Sequence, residues 1–290
     1  MTAGGQPAQT APQAVEPGPS GQPGRLVLLG HPLSHTLSPT IQNAALRAAG
    51  MSLTYEPVDV PRSVLDDTVA DLRRKRAAGN VTTPYKEALR NACDRLTETA
   101  RAVGAVNTFW TAVDGALVGD NTDVAGFSAA ARELVGPPRD GEIVALLGAG
   151  GGAAAVLHAM QGWPNARVQL YSRTRARAEE LLKRFKVPSE LARSAEDAVD
   201  GATLVVNATP VGLRDDTVPV QVSFLIAGSA VLDLAYRLGE TAFVRDARAK
   251  GHRAMDGLTM LVEQGAESFE RWFGVKPDRA AMWAALKAAH

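Results

Sequence analysis

The sequence has one cysteine, Cys93, and no excess of charge of either sign. A single cysteine allows neither an internal disulfide nor a thiol-rich metal cluster, which fits a reducing compartment such as the cytoplasm, and no metal site is predicted. Lys plus Arg and Asp plus Glu number 31 each, so the formal net charge is 0. This balance argues against nucleic acid or a membrane surface as the main partner.

The sequence also lacks a run of apolar residues approaching the ~20 that cross a bilayer. Its first 24 residues are rich in Gly, Pro, Gln and Ala and have neither the basic nor the apolar segment of a secretory signal, so they predict a disordered tail over 1–24. The overall composition is that of an ordinary globular protein, since 290 residues with 46% hydrophobic content suit two domains with buried cores. We expect a soluble cytoplasmic chain, either a monomer or a homodimer.

Strand-like and helix-like segments alternate from Arg25 onward. In the first part of the chain, the predicted elements are strands at 25–30, 53–60 and 80–82 and helices at 38–49, 64–79 and from Pro84. After a polar break, "GPPRDG", the same alternation starts again. Alternation of this kind is typical of parallel sheets covered by helices, so the sequence predicts an α/β fold with two α/β domains.

A glycine-rich loop follows the first strand of the second domain. Gly148, Gly150 and Ala153 match the pattern G-x-G-x-x-A, with a strand predicted before it and a helix after it. Together with Gly151 and Gly152, these residues would let the backbone approach a pyrophosphate at the helix N-terminus. The alternative is an incidental glycine-rich turn, but the strand and helix on either side favour a Rossmann-like dinucleotide site.

The segment after the next strand, "YSRTRAR", indicates which dinucleotide binds. A free ribose 2′-hydroxyl is usually held by an acid ~20 residues beyond the glycines, but the first acid here is Glu179, inside the following helix. Ser172, Arg173, Thr174 and Arg175 instead offer hydroxyl and guanidinium groups suited to a 2′-phosphate. The predicted cofactor is NADP, with a basic solvated loop as the alternative.

Lys86 occupies an unusual position for a lysine. It falls in the first turn of the helix predicted to begin at Pro84, with Thr82 or Thr83 as the cap. The positive end of the helix dipole favours an acid there by a few tenths of a kcal/mol to ~1 kcal/mol. The residues alone leave two interpretations open, a solvated surface lysine or a lysine that takes part in proton transfer.

Four short polar segments stand at the ends of predicted elements, namely "SHTLSP" (34–39), "NVTTPYK" (80–86), "AVNTF" (105–109) and "GDNTD" (119–123). Because ligands of α/β sheets bind beyond the carboxyl ends of the strands, we expect these segments to converge on one crevice. Each also has a plain structural interpretation, since Ser38 and Asp123 could cap helices and Asn107 could form a turn.

Gln264 is a further candidate because of its place on the predicted helix 257–274. At ~100° per residue it lies away from the apolar stripe of this helix, on the same flank as Met260. A methionine on that flank suggests that the flank faces another part of the molecule. The alternative is a solvated glutamine beside an exposed methionine.

Together these segments resemble the shikimate dehydrogenases, over the stretch from Gly30 to about Gly274. The matching segments are "TLSP" with "QN", "NVTTPYKEA", "GAVNT", "GDNTD", "NATPVGL" and "DGLTMLVEQ". The resemblance implies an oxidoreductase that reduces 3-dehydroshikimate to shikimate with NADPH, in chorismate and aromatic amino-acid biosynthesis.

The resemblance also implies roles for individual residues. Lys86 and Asp123 would form the catalytic pair, and Gly257 would pass close to the nicotinamide. The residues implied to hold the substrate are Thr36 and Ser38 at its carboxylate, Tyr236 near that carboxylate, and Thr82, Asn107 and Gln264 at its hydroxyls. The implied organisation is a substrate-binding domain of 25–122, completed by the helices of 257–290, and an NADP-binding domain of 123–256.

The sequence departs from the family pattern at a few positions without losing a catalytic group. Thr36 replaces a serine, Val124 a glycine and Leu213 a methionine, and the segment after Tyr236 lacks the usual Asn-Pro. Two alternatives remain. One is a relative that also oxidises quinate, often with NAD; the "SRTR" loop argues against a preference for NAD but not against quinate. The other is a non-catalytic ligand-binding member of the fold, against which the retained Lys86 and Asp123 argue.

Overall fold

The computed structural model describes residues 22–34, 36–237 and 239–289. Most of the predicted tail, residues 1–21, therefore lies outside the described residues. Gly24, which was also assigned to the tail, donates its backbone N–H to the carbonyl of Arg76 at 3.0 Å. The first described residues thus lie beside the first sheet.

The first half of the chain forms a six-stranded sheet with the strand order β2-β1-β3-β5-β6-β4. Its strands are β1 (Arg25–Gly30), β2 (Tyr55–Asp59), β3 (Ala77–Val81), β4 (Arg95–Leu96), β5 (Thr108–Thr111) and β6 (Leu117–Asp120). The pairs β1–β2 and β1–β3 are parallel, whereas β5 runs antiparallel to both β3 and β6. The sheet is therefore mixed and not wholly parallel, because the turn around Gly115 reverses the chain directly into β6.

Five helices belong to this part of the chain: α1 (Ser38–Ala48), α2 (Leu65–Arg74), α3 (Lys86–Ala92), α4 (Glu98–Val103) and α5 (Asp123–Val135). The ends of α2 agree with the helix dipole, since Asp66 and Asp67 lie in its first turn and Arg73 and Arg74 in its last. The Thr97 side chain caps α4 by accepting the N–H of Ala100.

The second half forms a six-stranded parallel sheet with the order β12-β11-β10-β7-β8-β9. Its strands are β7 (Ile143–Leu147), β8 (Arg167–Tyr171), β9 (Ser189–Leu191), β10 (Leu204–Asn207), β11 (Ala230–Asp233) and β12 (Arg253–Met255). The central strands β7 and β10 are continuous apolar runs, as expected for strands that helices cover on both faces. The order reverses between β7 and β10, which is the doubly wound arrangement of a Rossmann-like domain.

The remaining helices are α6 (Gly151–Met160), α7 (Arg175–Leu182), α8 (Ala195–Val199), α9 (Ala242–Ala249), α10 (Leu258–Phe273) and α11 (Arg279–Ala289). Helix α10 packs extensively against α5, while α11 packs against α1. Trp272 and Met282 of these last helices are buried in one apolar cluster with Leu26 of β1. The last helices therefore pack against the first sheet. Within the part of the chain that the structure describes, we find no helix with the length and apolar character of a membrane span.

The prediction of a helix over 64–79 followed by a strand over 80–82 is wrong in its boundary. Helix α2 ends at Arg74, and Arg76 has a left-handed φ of 49°, so Ala77 already belongs to β3. A methyl group on Gly79 would lie 2.0 Å from the carbonyl oxygen of Val27. The small residues that suggest a helix thus allow β3 to approach β1 closely, and tertiary packing overrides their local propensity.

Two predicted helix starts also differ from the structure. Helix α3 begins at Lys86 and not at Pro84, because the N–H of Tyr85 closes a turn on the carbonyl of Thr82 at 2.9 Å. The Tyr85 hydroxyl donates a hydrogen bond to the carbonyl of Val60 at 2.6 Å, and this bond holds Tyr85, the residue before the helix, in place. Ser38 is the first residue of α1 and not its cap, a position that Leu37 occupies.

Candidate active site

The Lys86 and Asp123 side chains form an ion pair where the two halves of the chain meet. Nζ of Lys86 lies 2.6 Å from Oδ2 of Asp123, and their side chains are 19% and 6% exposed. Lys86 is the first residue of α3 and Asp123 the first residue of α5. The predicted position of Lys86 in a first helical turn is confirmed, and the lysine is partnered by a carboxylate instead of being fully solvated.

Asn107, in the loop between α4 and β5, holds the other oxygen of the carboxylate. Its Nδ2 donates to Oδ1 of Asp123 at 2.8 Å and lies 3.3 Å from Oε1 of Gln264. Its Oδ1 accepts the backbone N–H of Thr122 at 2.7 Å. Because a backbone N–H donates only, this contact fixes which end of the Asn107 amide faces Asp123. Asn107 is 2% exposed, so its contacts with Asp123 of α5 and Gln264 of α10 are shielded from water.

Gln264 and Met260 both face α5, so the flank of α10 that they share is not a solvated face. A methyl group on Gly126 of α5 would lie 2.8 Å from the carbonyl oxygen of Met260 and 3.0 Å from Cβ of Gln264. Only glycine permits helices to approach this closely without a shift. Gln264 is half-buried, and its Nε2 donates to the carbonyl of Leu261 at 2.8 Å.

Thr36, Ser38 and Tyr236 meet at the beginning of α1, although Tyr236 comes from the loop after β11. The Tyr236 hydroxyl lies close to both side chains and to the backbone of Leu37, whose polar groups act to lower its pKa. Burial raises the pKa of Tyr236, and these polar groups offset part of that effect. Several hydrogen-bonding groups thus point to one small volume, an arrangement that suits an oxygen-rich group such as a carboxylate.

Thr82 lies just beyond the carboxyl end of β3, in the turn that leads to Lys86. Its backbone N–H donates to the carbonyl of Leu29 at 2.9 Å. Its side chain packs on the end of β1, where a methyl group on Gly30 would lie 2.6 Å from Cγ2 of Thr82. Thr82 is half-buried and shares no hydrogen bond with the Lys86 side chain, whose bonded partner is Asp123.

The glycine loop, residues 148–153, joins β7 to α6 in the order predicted. Gly148 has a φ of 112°, and a methyl group there would lie 2.8 Å from the carbonyl oxygen of Ala208. Apart from Gly150 itself and its two neighbours in the chain, no described residue comes within 4 Å of where a methyl group on Gly150 would lie, so the space over the loop is open. On Gly151 a methyl group would lie 3.3 Å from Cδ of Lys86, which places the loop directly against the ion pair.

Two further residues complete the helix start behind the loop. A methyl group on Gly152 would lie 3.7 Å from Leu234, while Ala153 is fully buried in the core below. Leu234 and Ala235 also contact Gly257, at the start of α10. A methyl group on Gly257 would lie 2.4 Å from the carbonyl oxygen of Leu234, so only glycine fits there. The predicted residue Gly257 therefore lies beside the loop that carries Tyr236.

The predicted 2′-phosphate segment lies next to the glycine loop, because the N–H of Gly148 donates to the carbonyl of Tyr171 at 2.8 Å. Ser172 accepts the N–H of Thr174 at 3.3 Å, which orders the turn before α7. Arg173, Thr174 and Arg175 are exposed. Arg175 is engaged along its own helix, with Nε 3.0 Å from Oε1 of Glu179.

Sequence reasoning did not single out Arg177. It is an exposed residue of α7, and its guanidinium lies 3.8 Å from a carboxylate oxygen of Glu87, the neighbour of Lys86. Arg177 thus faces the cleft between the two halves of the chain. The signal was present in the sequence, since Arg177 follows Arg175 by two residues in "SRTRAR".

A set of buried polar residues lies beneath the ion pair, and sequence reasoning missed two of them, Tyr55 and Ser268. The set consists of Tyr55 of β2, Asn80 of β3, Thr122 before α5 and Ser268 of α10, each 5% exposed or less. Asn80 Nδ2 donates to Oγ of Ser268 at 2.8 Å, and Ser268 Oγ lies 3.0 Å from Oγ1 of Thr122. Ser268 follows Gln264 by one helical turn, and this spacing was the available signal.

Comparison with known proteins agrees with this arrangement. A family model described as the shikimate dehydrogenase substrate binding domain matches residues 28–109, and one for the shikimate 5'-dehydrogenase C-terminal domain matches residues 257–287. A shikimate dehydrogenase (NADP(+)) of Rubrobacter xylanophilus is 42% identical over 267 residues, which are 89% of this chain and 94% of that protein. This chain belongs to the shikimate dehydrogenase family.

Solved structures extend the family likeness to the fold. Shikimate 5-dehydrogenase of Thermus thermophilus, in complex with NADP(H) and shikimate, matches with a TM-score of 0.81 and 37% identity over 92% of this chain and 99% of that chain. Quinate dehydrogenase of Corynebacterium glutamicum, in complex with NAD, matches with a TM-score of 0.80 and 29% identity over 92% and 100% of the two chains. The predicted family and α/β fold class are confirmed.

Proposed function

We propose that this chain is an NADP-dependent shikimate dehydrogenase, which reversibly reduces 3-dehydroshikimate to shikimate in the biosynthesis of chorismate and aromatic amino acids. The observation that carries this proposal is the Lys86–Asp123 pair, 2.6 Å apart, lying directly against the glycine loop. A proton donor and a dinucleotide-binding loop at one place are what the reduction of a ketone requires. A binding module would require neither the pair nor its position.

The residues around the glycine loop fit NADP. The space over Gly150 is open, and α6 begins at the next residue, so the loop offers a helix N-terminus of the kind that binds a pyrophosphate. Arg173, Arg175 and Arg177 supply guanidinium groups beside the loop for the 2′-phosphate. When bound, NADPH supplies the hydride for the reduction.

Lys86 and Asp123 handle the proton. Hydride addition to the ketone leaves an alkoxide, and Nζ of Lys86 gives a proton to that oxygen while its positive charge stabilises it. In the reverse direction the neutral amine removes the proton from the substrate hydroxyl. Asp123 orients Lys86 through the 2.6 Å contact, and Asn107 in turn orients Asp123 by donating to its second oxygen at 2.8 Å.

The remaining site residues hold the substrate around this pair. Thr36, Ser38 and Tyr236, which lie together at the beginning of α1, bind the substrate carboxylate. The residues assigned to the hydroxyls are Thr82, Asn107 and Gln264. Gly257 allows the loop after β11 to approach the nicotinamide side of the cleft, since a side chain there would collide with the Leu234 carbonyl.

The chain is proposed to have two domains and to act in the cytoplasm. We assign the substrate to residues 25–122 together with the helices of 257–290, and NADP to residues 123–256. Burial, together with the charge of Asp94, raises the pKa of Cys93 to about 12, so its thiol is unreactive at neutral pH. An unreactive lone thiol suits a cytoplasmic enzyme whose chemistry uses no cysteine.

The similarity to a quinate dehydrogenase bound to NAD supports one alternative, an enzyme of broader substrate range. Steady-state rates with shikimate or quinate, each with NADP or NAD, distinguish these hypotheses. We expect kcat/KM to be highest for shikimate with NADP. Comparable kcat/KM for quinate would favour an enzyme of broader substrate range. No turnover in any of the four combinations would favour a non-catalytic binding module.

A further inference from the structure

Ser268 has no place in the mechanism above, yet it lies at the centre of the buried polar residues beneath the ion pair. It is 0% exposed, on the face of α10 that points toward β3 and α5. Its Oγ contacts three groups: Nδ2 of Asn80 at 2.8 Å, Oγ1 of Thr122 at 3.0 Å and the carbonyl oxygen of Gln264 at 2.9 Å. A hydroxyl has one hydrogen to donate, so these contacts define its direction.

The direction is set first at Asn80. Its Nδ2 also lies 3.2 Å from the backbone carbonyl of Asn107, which only accepts, so this end of the Asn80 amide must be the N–H end. Its Oδ1 then accepts the hydroxyl of Tyr55 at 2.9 Å. Ser268 therefore accepts from Asn80.

The single hydrogen of Ser268 goes to the Gln264 carbonyl, which also only accepts. The Thr122 hydroxyl must therefore donate to Ser268, and Oγ1 of Thr122 is left to accept from Nδ2 of Asn107 at 3.0 Å. Every hydrogen bond between Tyr55 and Asn107 thus has one defined direction. The chain of bonds ends with an N–H of Asn107 pointing at Oδ1 of Asp123.

We infer that Ser268 is a positioning residue for the reaction under "Proposed function", on which this inference rests. It accepts from Asn80 and Thr122 and donates to the Gln264 carbonyl, so it holds the turn of α10 that carries Gln264 against β3 and against the residue before Asp123. Without the Ser268 hydroxyl, the Thr122 hydroxyl turns to its alternative acceptor, Oδ1 of Asn107 at 3.2 Å. Oδ1 of Asn107 has two lone pairs and can accept this hydroxyl together with the Thr122 N–H, so the Asn107 amide stays in place while α10 loses its hydrogen bonds to Thr122 and Asn80.

The test measures the kinetics of Ser268→Ala with shikimate and NADP. We expect kcat/KM for shikimate to fall about tenfold, as for the loss of one buried hydrogen bond, with KM for NADP unchanged. Ser128→Ala is the matched control, because Ser128 also donates to the carbonyl four residues earlier, Val124 at 2.8 Å, but from the exposed face of α5. The control should keep wild-type kinetics.

A second variant, Thr122→Val, keeps the side-chain shape and removes the hydroxyl that links Ser268 to Asn107. It should show the same loss, and the double variant should be no worse than Thr122→Val alone, because both residues act through one chain of bonds. In a Gln264→Ala background, Ser268→Ala should change kcat/KM by less than about twofold, because the side chain that Ser268 positions is already absent. A merely structural role would instead lower the melting temperature and the affinity for NADP in every background.

Two outcomes separate failure of the inference from failure of the proposed function. An active wild-type enzyme whose Ser268→Ala and Thr122→Val variants both stay within about twofold of its kcat/KM would overturn the inference alone. A wild-type chain that does not turn over shikimate would overturn the proposed function, and with it the inference.

Discussion

Nζ of Lys86 lies 2.6 Å from Oδ2 of Asp123, although 37 residues separate the two in sequence and they begin different helices. The contact is largely shielded from water, since Asp123 is 6% exposed. Shielding strengthens the attraction and also makes the removal of one partner costly, because the other charge stays behind unpaired. The pair is therefore expected to act as a unit.

Replacing Lys86 or Asp123 by alanine should lower kcat far more than it raises KM for shikimate. Groups that act mainly in the transition state change kcat, and general acid–base catalysis is worth about 10²–10⁴-fold. The double variant should be little slower than the slower single variant. Lys75→Ala is a suitable control, because Lys75 also pairs with a carboxylate, that of Asp71 at 2.8 Å, but on an exposed helix. Near-normal kcat in either active-site variant would mean that another group donates the proton.

Gln264→Ala and Thr82→Ala should weaken shikimate binding without changing the affinity for NADP. Both residues are proposed to meet substrate hydroxyls, and each lost hydrogen bond is worth ~0.5–1.5 kcal/mol, up to about tenfold in affinity. Calorimetric titration with shikimate, and separately with NADP, measures the two effects. Gln221→Ala, at an exposed glutamine of the second half, should alter neither. Unchanged shikimate affinity in both variants would remove these two residues from the substrate site.

Replacing Arg173 and Arg175 together by alanine should raise KM for NADP steeply and leave KM for NAD nearly unchanged. Charge-assisted hydrogen bonds to a phosphate are worth ~1.5–3 kcal/mol, about 10- to 100-fold per arginine. The effect should shrink with added salt because these side chains are exposed.

The structure adds a comparison between two arginines of α7, Arg175 and Arg177. Arg175 already pairs with Glu179 at 3.0 Å, whereas Arg177 faces the cleft near Glu87. Arg177→Ala should therefore raise KM for NADP more than Arg175→Ala does. Arg193→Ala, at an exposed arginine paired with Asp197, is the control. Equal losses of NADP and NAD affinity would show that the loop has a structural role only.

Asp233 should make the free energy of unfolding depend on pH. This carboxylate is 0% exposed and accepts hydrogen bonds from Asn207, Ala235 and Thr241, and burial raises its pKa from 3.8 to about 6. The folded chain thus binds this proton more tightly than the unfolded chain does, so stability falls as the pH rises from about 4 to about 6 and is level above that.

At ~1.4 kcal/mol per pH unit, this group should remove about 2 kcal/mol between about pH 4.5 and about pH 7. Urea unfolding of the wild type and of Asp233→Asn at the two pH values measures it, because the asparagine variant lacks this contribution. Asp200→Asn, at an exposed aspartate, should follow the wild type. The same pH dependence in wild type and Asp233→Asn would show that Asp233 titrates near its ordinary pKa in the folded chain.

Local pattern alone determined much of this protein. The apolar runs of β1 and β7, the glycine loop and the polar residues at strand ends predicted an α/β fold with a dinucleotide site, because strand burial and backbone approach require those residue types within a few positions of each other. The helical spacing that set Gln264 apart from the apolar stripe also indicated correctly that its flank faces another element, which is α5.

Only the tertiary structure decided what depends on contacts between distant segments. Residues Ala77–Val81 form a strand because Gly79 lets the chain approach Val27, a contact invisible to local helix propensity. In sequence Ser268 is an ordinary helix residue, and only the packing of β3 and α5 against α10 places Asn80 and Thr122 at its hydroxyl. The role of a buried polar group depends on the hydrogen-bond partners that replace water. The fold supplies those partners, which are not the neighbouring residues in sequence.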